Sequence, residues 1–411
     1  MTAIAPLRRN SRLTIKQGTV GLCIIFSCVL LHRASCIDGW WREIVVAGPS
    51  MAPTLWGPTH QFSCTACGLP NRYHGRSARI HAPCWHCGVA QTPSSPRAVP
   101  ADRVTIDRAA YRWQLCGIPL TQAAPQRGDW VAVLVADQLR VKRVLGVPGD
   151  RVAVRGGELL RGGELALGGE LLINDRPVRE SLPGPIPTCL VHSATLSSRR
   201  EFPATAEPTA RHRWQAIATE GTVSADNRQG SPANWWVYHH FSVHDRRSDC
   251  VRDDYACNVD VRRALHPVDR LVVRLEVDFR SATTLDVWFW HPAGSRHVRR
   301  HCLAGQQSIR LISSDATTSR QSPAVTVDAR RPVAVAGLPS TGAAEPKITI
   351  ERELYWFVEA ADRQRWPSAS TELAADRYFI AGDNQAISVD SRSDPAGVHR
   401  DQIIGKVKRR W

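Results

Sequence analysis

Apolar residues at every second position recur along much of this chain, and that period constrains its fold more than any other feature. Leu271-Val272-Val273-Arg274-Leu275-Glu276-Val277-Asp278-Phe279 and Leu285-Asp286-Val287-Trp288-Phe289-Trp290 show it most clearly. A period of two marks a strand with one buried face. With turn-forming residues between such segments, residues 181–370 are expected to form a β-sandwich-like module. Inside it, Trp235-Trp236-Val237-Tyr238-His239-His240 fits strand core ahead of an aromatic ligand platform, Asp253-Asp254-Tyr255 a capped turn ahead of a cation site, and the polar stretch Ser313–Pro323 a loop. Earlier in the chain the turn Arg127-Gly128-Asp129 delivers the strand Trp130–Leu134, whose partner is Leu139–Leu145. Glu170–Val178 reads as a hairpin turning at Asn174-Asp175. The expected fold class is mainly β.

The N-terminus is different. Arg8, Arg9, Arg12 and Lys16 precede the apolar run Val20–Leu31, and Trp40 and Trp41 follow it. A basic flank, an apolar segment and interfacial aromatics predict a basic cytoplasmic tail over 1–17 and a transmembrane anchor over 18–36. A cleaved signal peptide is the alternative, because the run is short and Ala34-Ser35-Cys36 offers small residues after it. No second apolar run of similar length follows, so the rest of the chain is expected outside the cytoplasm, at a cell membrane spanned once. The formal charge of +15 is spread without a basic tract and reads as arginine-rich, solvated faces, so nucleic acid is not an expected partner; the anchor makes a lipid bilayer one.

Cys64-Thr65-Ala66-Cys67 and Cys84-Trp85-His86-Cys87 form two Cys-x-x-Cys pairs, each followed by a glycine, Gly68 or Gly88. That spacing suits a zinc ribbon in which two knuckles close a tetrahedral four-thiolate site. Residues 61–100 are therefore expected to hold a structural zinc, with a pair of disulfides as the alternative in an oxidising compartment. His81 and His86 are bystanders if four thiolates complete the site. A Pro- and Ser-rich linker, Thr92–Pro96, ends the module.

Two residues carry candidate chemistry. Ser50 sits between Pro49 and Pro53, which restrict the backbone around it. Lys142 lies on a strand, a rigid mount, on the face shared by Arg140 and Val144. Lysine is scarce: the others are Lys16, Lys347, Lys406 and Lys408. Lys16 falls on the cytoplasmic side, Lys347 in the sandwich-like module and the last two at the basic C-terminus, so a lysine base would be Lys142.

In this order, Ser50-Met51-Ala52-Pro53-Thr54-Leu55, Arg127-Gly128-Asp129, Lys142–Asp150 and Gly382-Asp383-Asn384 through Asp390-Ser391-Arg392 resemble the boxes of bacterial type I signal peptidases, membrane-anchored Ser/Lys endopeptidases. The resemblance implies a β catalytic core assembled from residues 37–60, 101–180 and 371–411, interrupted by the cysteine module and by the 181–370 insertion. It implies that Ser50 is the nucleophile and Lys142 the general base, with no catalytic cofactor. Asp383, Asp390 and Arg392 are supporting residues, Ser388 is a candidate to orient Lys142, and Met51 is placed to help keep the amine neutral. The implied substrates are exported preproteins, cut after small residues and bound as an added β-strand. The chain departs from the family at Gln385 and Ile387, where arginine and asparagine are usual. It departs again at Gly48, where some relatives have a hydroxyl that donates to the oxyanion. A Ser-His-Asp triad and a self-cleaving repressor are weaker alternatives. The reading of a different class is a catalytically weak or inactive membrane-tethered binding protein that uses the two inserted modules.

Overall fold

The computed structural model describes residues 19–31, 41–74, 82–92, 96–111, 114–115, 118–119, 123–156, 169–196, 213–218, 234–243, 247–258, 261, 263–318, 325–339 and 345–409. The protein is mainly β, with few and short helices. A helix covers 19–31. At 1.5 Å per residue it is about 20 Å long, short of the roughly 30 Å of a bilayer core. Among the described residues no helix is long and apolar enough to cross a membrane. The rest of the expected 18–36 anchor, the tail before it and Trp40 lie outside the described residues.

Seven antiparallel strands form the central sheet, in the order Trp41–Val45, Arg103–Asp107, Ile403–Arg409, Trp130–Val135, Gln138–Gly146, Arg377–Ala381 and Val398–His399. Ile403–Arg409, the last described strand, thus lies inside the sheet, between Arg103–Asp107 and Trp130–Val135. Trp130–Val135 and Gln138–Gly146 form a tight hairpin whose turn residues Ala136 and Asp137 have φ of 47° and 58°. A smaller sheet joins Arg176–Pro177, Gly169–Ile173, Arg151–Arg155 and Thr371–Glu372. There Asn174 and Asp175, at φ 50° and 64°, make the expected turn, since these residue types tolerate left-handed backbone.

Between these segments stand two further sheets. Thr188–Thr195, Lys347–Glu353, Leu271–Phe279 and Gly305–Ile312 make one; Asn234–Tyr238, Val333–Ala336, Thr283–Phe289 and Arg296–Cys302 lie within the other, six-stranded one. Their inward residues share one core: Val273, Leu275 and Ile350 from the first pack with Leu285, Val287, Phe289 and Val335 from the second. The alternation read from the sequence is what produces this face-to-face packing.

The sandwich does not hang free of the central sheet. Phe357–Val358 pairs with Gly169–Ile173. Tyr255, Cys257, Leu354, Trp356 and Trp366 are buried in one cluster with Ala52, Leu145, Phe379 and Ala381. Segments expected to belong to the 181–370 insertion therefore complete the core that carries the turn beginning at Ser50 and the strand of Lys142.

Candidate active site

Ser50 opens a tight turn in which Ala52 N–H donates to Pro49 O at 2.9 Å and Leu55 N–H to Met51 O at 2.9 Å. Apolar side chains pin that turn. Met51 and Leu55 are buried with Val46, Val104, Ile106, Ala132, Val141 and Val407, and Ala52 enters the neighbouring cluster. Ser50 itself is partly exposed, and among the described residues neither its hydroxyl nor its backbone N–H has a hydrogen-bond partner. Its carbonyl is held: Asn384 N–H donates to Ser50 O at 3.0 Å.

Lys142 comes from the Gln138–Gly146 strand, facing Val131 across the hairpin, and is 2% exposed. Its Nζ donates to Ser388 Oγ at 2.5 Å. Burial pushes the amine down from 10.5 to about 8; Asp390 pulls it up, while Arg392 and Arg140 push it further down. The nearest fixed partner is thus a neutral hydroxyl, which does little to stabilise an ammonium in a dry place. Met51 packs on the Val141 face of this strand, and strand alternation puts Lys142 on the other. The described packing of Met51 is with the core beneath the turn that begins at Ser50.

The loop 382–392 ties both halves together. A methyl group added at Gly382 would collide with Ser388 Oγ and with the Ser50 carbonyl oxygen, so only glycine admits the three chain segments there. Asp383, 1% exposed, receives Arg143 Nε at 2.8 Å and Nη2 at 2.6 Å, and the Thr54 hydroxyl donates to the same carboxylate. One carboxylate therefore joins the lysine strand to the turn beginning at Ser50. Asp390 accepts from Gly382 N–H at 2.9 Å and from Arg392 Nε at 2.8 Å. Burial pushes the Asp390 carboxyl up, and Arg392, Lys142 and Ser388 together more than offset this, so it lies below the usual carboxylate range. Arg392 also donates to the carbonyls of Gln385 at 2.9 Å and Ser388 at 3.2 Å. Gln385 is buried and accepts Phe357 N–H at 2.8 Å.

Arg143, Thr54, Tyr255 and Asn258 were not assigned roles from sequence. For Arg143 a signal existed: it alternates with Val141 and Leu145 on an apolar face, where a guanidinium needs a carboxylate. Tyr255 and Asn258 carried none. The 138–142 part of the lysine strand has a described neighbour on one side only, because pairing with Arg377–Ala381 starts at Arg143.

Residues 82–209 match the family model of signal peptidase, peptidase S26. The peptidase S26 match includes Lys142 and excludes Ser50 and Ser388. No curated protein matches the chain significantly.

A second centre lies in the cysteine module. The four Sγ atoms of Cys64, Cys67, Cys84 and Cys87 fall within 4.8 Å of one another. Cys64 and Cys87 Sγ are 3.6 Å apart, and Cys67 and Cys84 Sγ 3.7 Å. A thiolate tetrahedron around zinc, with Zn–S of about 2.3 Å, has edges of about 3.8 Å, whereas a disulfide needs about 2.05 Å. Amide N–H groups of Ala66 and His86, each at 3.4 Å, point at Cys64 and Cys84 sulfur, and Asn71 Nδ2 reaches Cys84 Sγ at 3.3 Å. Gly68 and Gly88, at φ 74° and 70°, close the knuckles. Such donors favour thiolates and suit a structural metal. His86 Nε2–H donates to Pro70 O, 3.3 Å away, and is not part of the four-sulfur group; His81 lies outside the described residues.

Proposed function

We propose that this chain is a signal peptidase of type I: a membrane-tethered serine endopeptidase that removes signal peptides from exported preproteins with a Ser50/Lys142 dyad. The observation that carries the reading is a buried lysine amine, lowered to about 8, whose close partner is a hydroxyl instead of a carboxylate. The peptidase S26 match over the same strand supports it.

In this mechanism Lys142 acts as the neutral amine. One N–H is given to Ser388, which leaves the lone pair for the Ser50 proton. Ser50 Oγ attacks the scissile carbonyl carbon as its proton moves to Lys142 Nζ. The resulting ammonium gives that proton to the leaving nitrogen as the C–N bond breaks, leaving an acyl ester on Ser50. Water, deprotonated by the same amine, then releases the acid and regenerates Ser50. The uncommitted Ser50 N–H is the proposed oxyanion donor. The substrate adds as a strand along the 138–142 edge, which leads its scissile bond past Lys142.

Cys64, Cys67, Cys84 and Cys87 are the proposed ligands of a structural zinc, which would cross-link the ribbon and take no part in the reaction. The N-terminal segment is the proposed tether, with the catalytic part outside the cytoplasm. Incubating purified protein in detergent with a preprotein tests the activity. Wild type should cleave, and Ser50→Ala and Lys142→Ala should not; cleavage retained in either variant contradicts the dyad. Metal analysis should find one zinc per chain, lost in Cys64→Ser, and four oxidised cysteines without metal would favour disulfides.

A further inference from the structure

The loop that holds Ser50 is itself held by a segment from the opposite side of the sequence boundary. Asn258 Nδ2 donates to Asn384 Oδ1 at 2.8 Å, and Asn384 Nδ2 donates to Asn258 Oδ1 at 2.9 Å. Such a reciprocal amide pair uses both groups of each side chain and admits only one relative orientation. Asn384 is 0% exposed and Asn258 8%. The Tyr255 hydroxyl donates to Asp383 O at 2.7 Å, and Gln385 Nε2 donates to Asp253 Oδ2 at 2.5 Å. Three successive loop residues, 383–385, are thereby gripped by three residues of 253–258. Asp253 is fixed in turn by Arg263 at 2.9 Å and by His266 N–H at 2.7 Å. The cysteine module supports the segment from its far side, where His74 N–H donates to Cys257 O at 3.1 Å.

What the gripped loop does is close to the chemistry. Asn384 N–H carries the Ser50 carbonyl, and Asp383 carries Thr54 and Arg143. We propose that Tyr255 and Asn258, contributed by the large insertion, are positioning residues for Ser50, acting through the 383–384 loop; this rests on the Ser/Lys reading above. A displacement of the loop by about 1 Å would carry the Ser50 backbone with it, and misplacement on that scale costs up to about 100-fold in rate. The insertion is then part of the catalytic apparatus, and the nucleophile is set by contacts from three separate parts of the chain.

The test uses the full chain in detergent with a preprotein substrate and compares Asn258→Ala, Asn384→Ala, their double variant and Tyr255→Phe. Amide exchange over 382–386 is followed alongside kinetics. Asn258→Ala should lower kcat by about 10- to 100-fold with KM within about twofold. The double variant should lose no more than the worse single one, because both remove the same link. Tyr255→Phe keeps the ring and folds, and should lower kcat by about 3- to 10-fold. Exchange at 382–386 should speed at least about tenfold in Asn258→Ala while the Arg377–Ala381 strand stays protected. Wild-type kcat and exchange in both Asn258→Ala and Tyr255→Phe would overturn the proposal. So would a fall in kcat that merely follows loss of protection throughout the chain, or additive losses in the double variant. No cleavage by wild type would sink the functional reading instead, and exchange alone would then decide whether the clamp exists.

Discussion

Lys142 and Arg143 are consecutive buried cations on one strand, and the protein treats them in opposite ways. Arg143 meets the Asp383 carboxylate with two hydrogen bonds, at 2.8 and 2.6 Å, so its charge is matched where it stands. Lys142, on the other face, meets the Ser388 hydroxyl, and the nearest charges partly cancel: Asp390 favours the ammonium while Arg392 and Arg140 oppose it. A matched buried pair makes a brace; an unmatched buried amine has the lowered proton affinity that the proposed base requires. The difference lies in the partner, because depth of burial is similar, 2% exposure for Lys142 and 7% for Arg143.

Replacing each cation by methionine should separate the two roles. Lys142→Met should reduce preprotein cleavage by about 10³-fold or more, the loss expected when a positioned general base is removed. Residual cleavage near the wild-type rate would erase the comparison. Arg143→Met should instead lower folding stability by about 3–5 kcal/mol, because Asp383 stays behind as a buried, unmatched carboxylate. Denaturant unfolding measures this, and a neutral result would mean that the brace is dispensable.

Stability should move the other way at Lys142. The unfolded chain binds the lysine proton more tightly than the folded one, since the folded amine lies at about 8 and the ordinary value is 10.5. Burying the ammonium therefore costs stability fully below pH 8, and the cost fades as pH rises towards 10.5. Lys142→Met should be more stable than wild type at pH 7 by roughly 3 kcal/mol, a gain that shrinks by pH 10. Unfolding curves at the two pH values sharpen the contrast with Arg143→Met, whose deficit should persist at both. The smallest expected effect concerns the oxyanion. A side chain at Gly48 would meet nothing within 4 Å, so Gly48→Ser fits and offers a second donor. Its kcat should rise by about tenfold at most, and a decrease would place the oxyanion elsewhere.

Much of this arrangement was legible because it is local. The period of two around Lys142, the Asn174-Asp175 turn and the paired Cys-x-x-Cys knuckles each depend on neighbours a few positions away, and short-range patterns report such geometry directly. The sandwich strands were readable for the same reason. Asn258 and Tyr255 were not, since their partners Asn384 and Asp383 lie 126 and 128 positions downstream and neither side carries a periodic signal. Asp253-Asp254-Tyr255 read as a turn because local rules see three polar residues, and the Asp253 carboxylate in fact lies fully buried against Arg263 and Gln385. Gln385 looked like a departure from a familiar box. In the fold it is the contact between the loop and Asp253.

The pH dependence of kcat/KM for a peptide spanning a preprotein cleavage site tests the account most directly. If neutral Lys142 is the base, activity should rise with pH through a single limb near 8 and be abolished in Lys142→Met. A limb near the ordinary histidine value of about 6.5, or one near the unshifted lysine value of about 10.5, would contradict it.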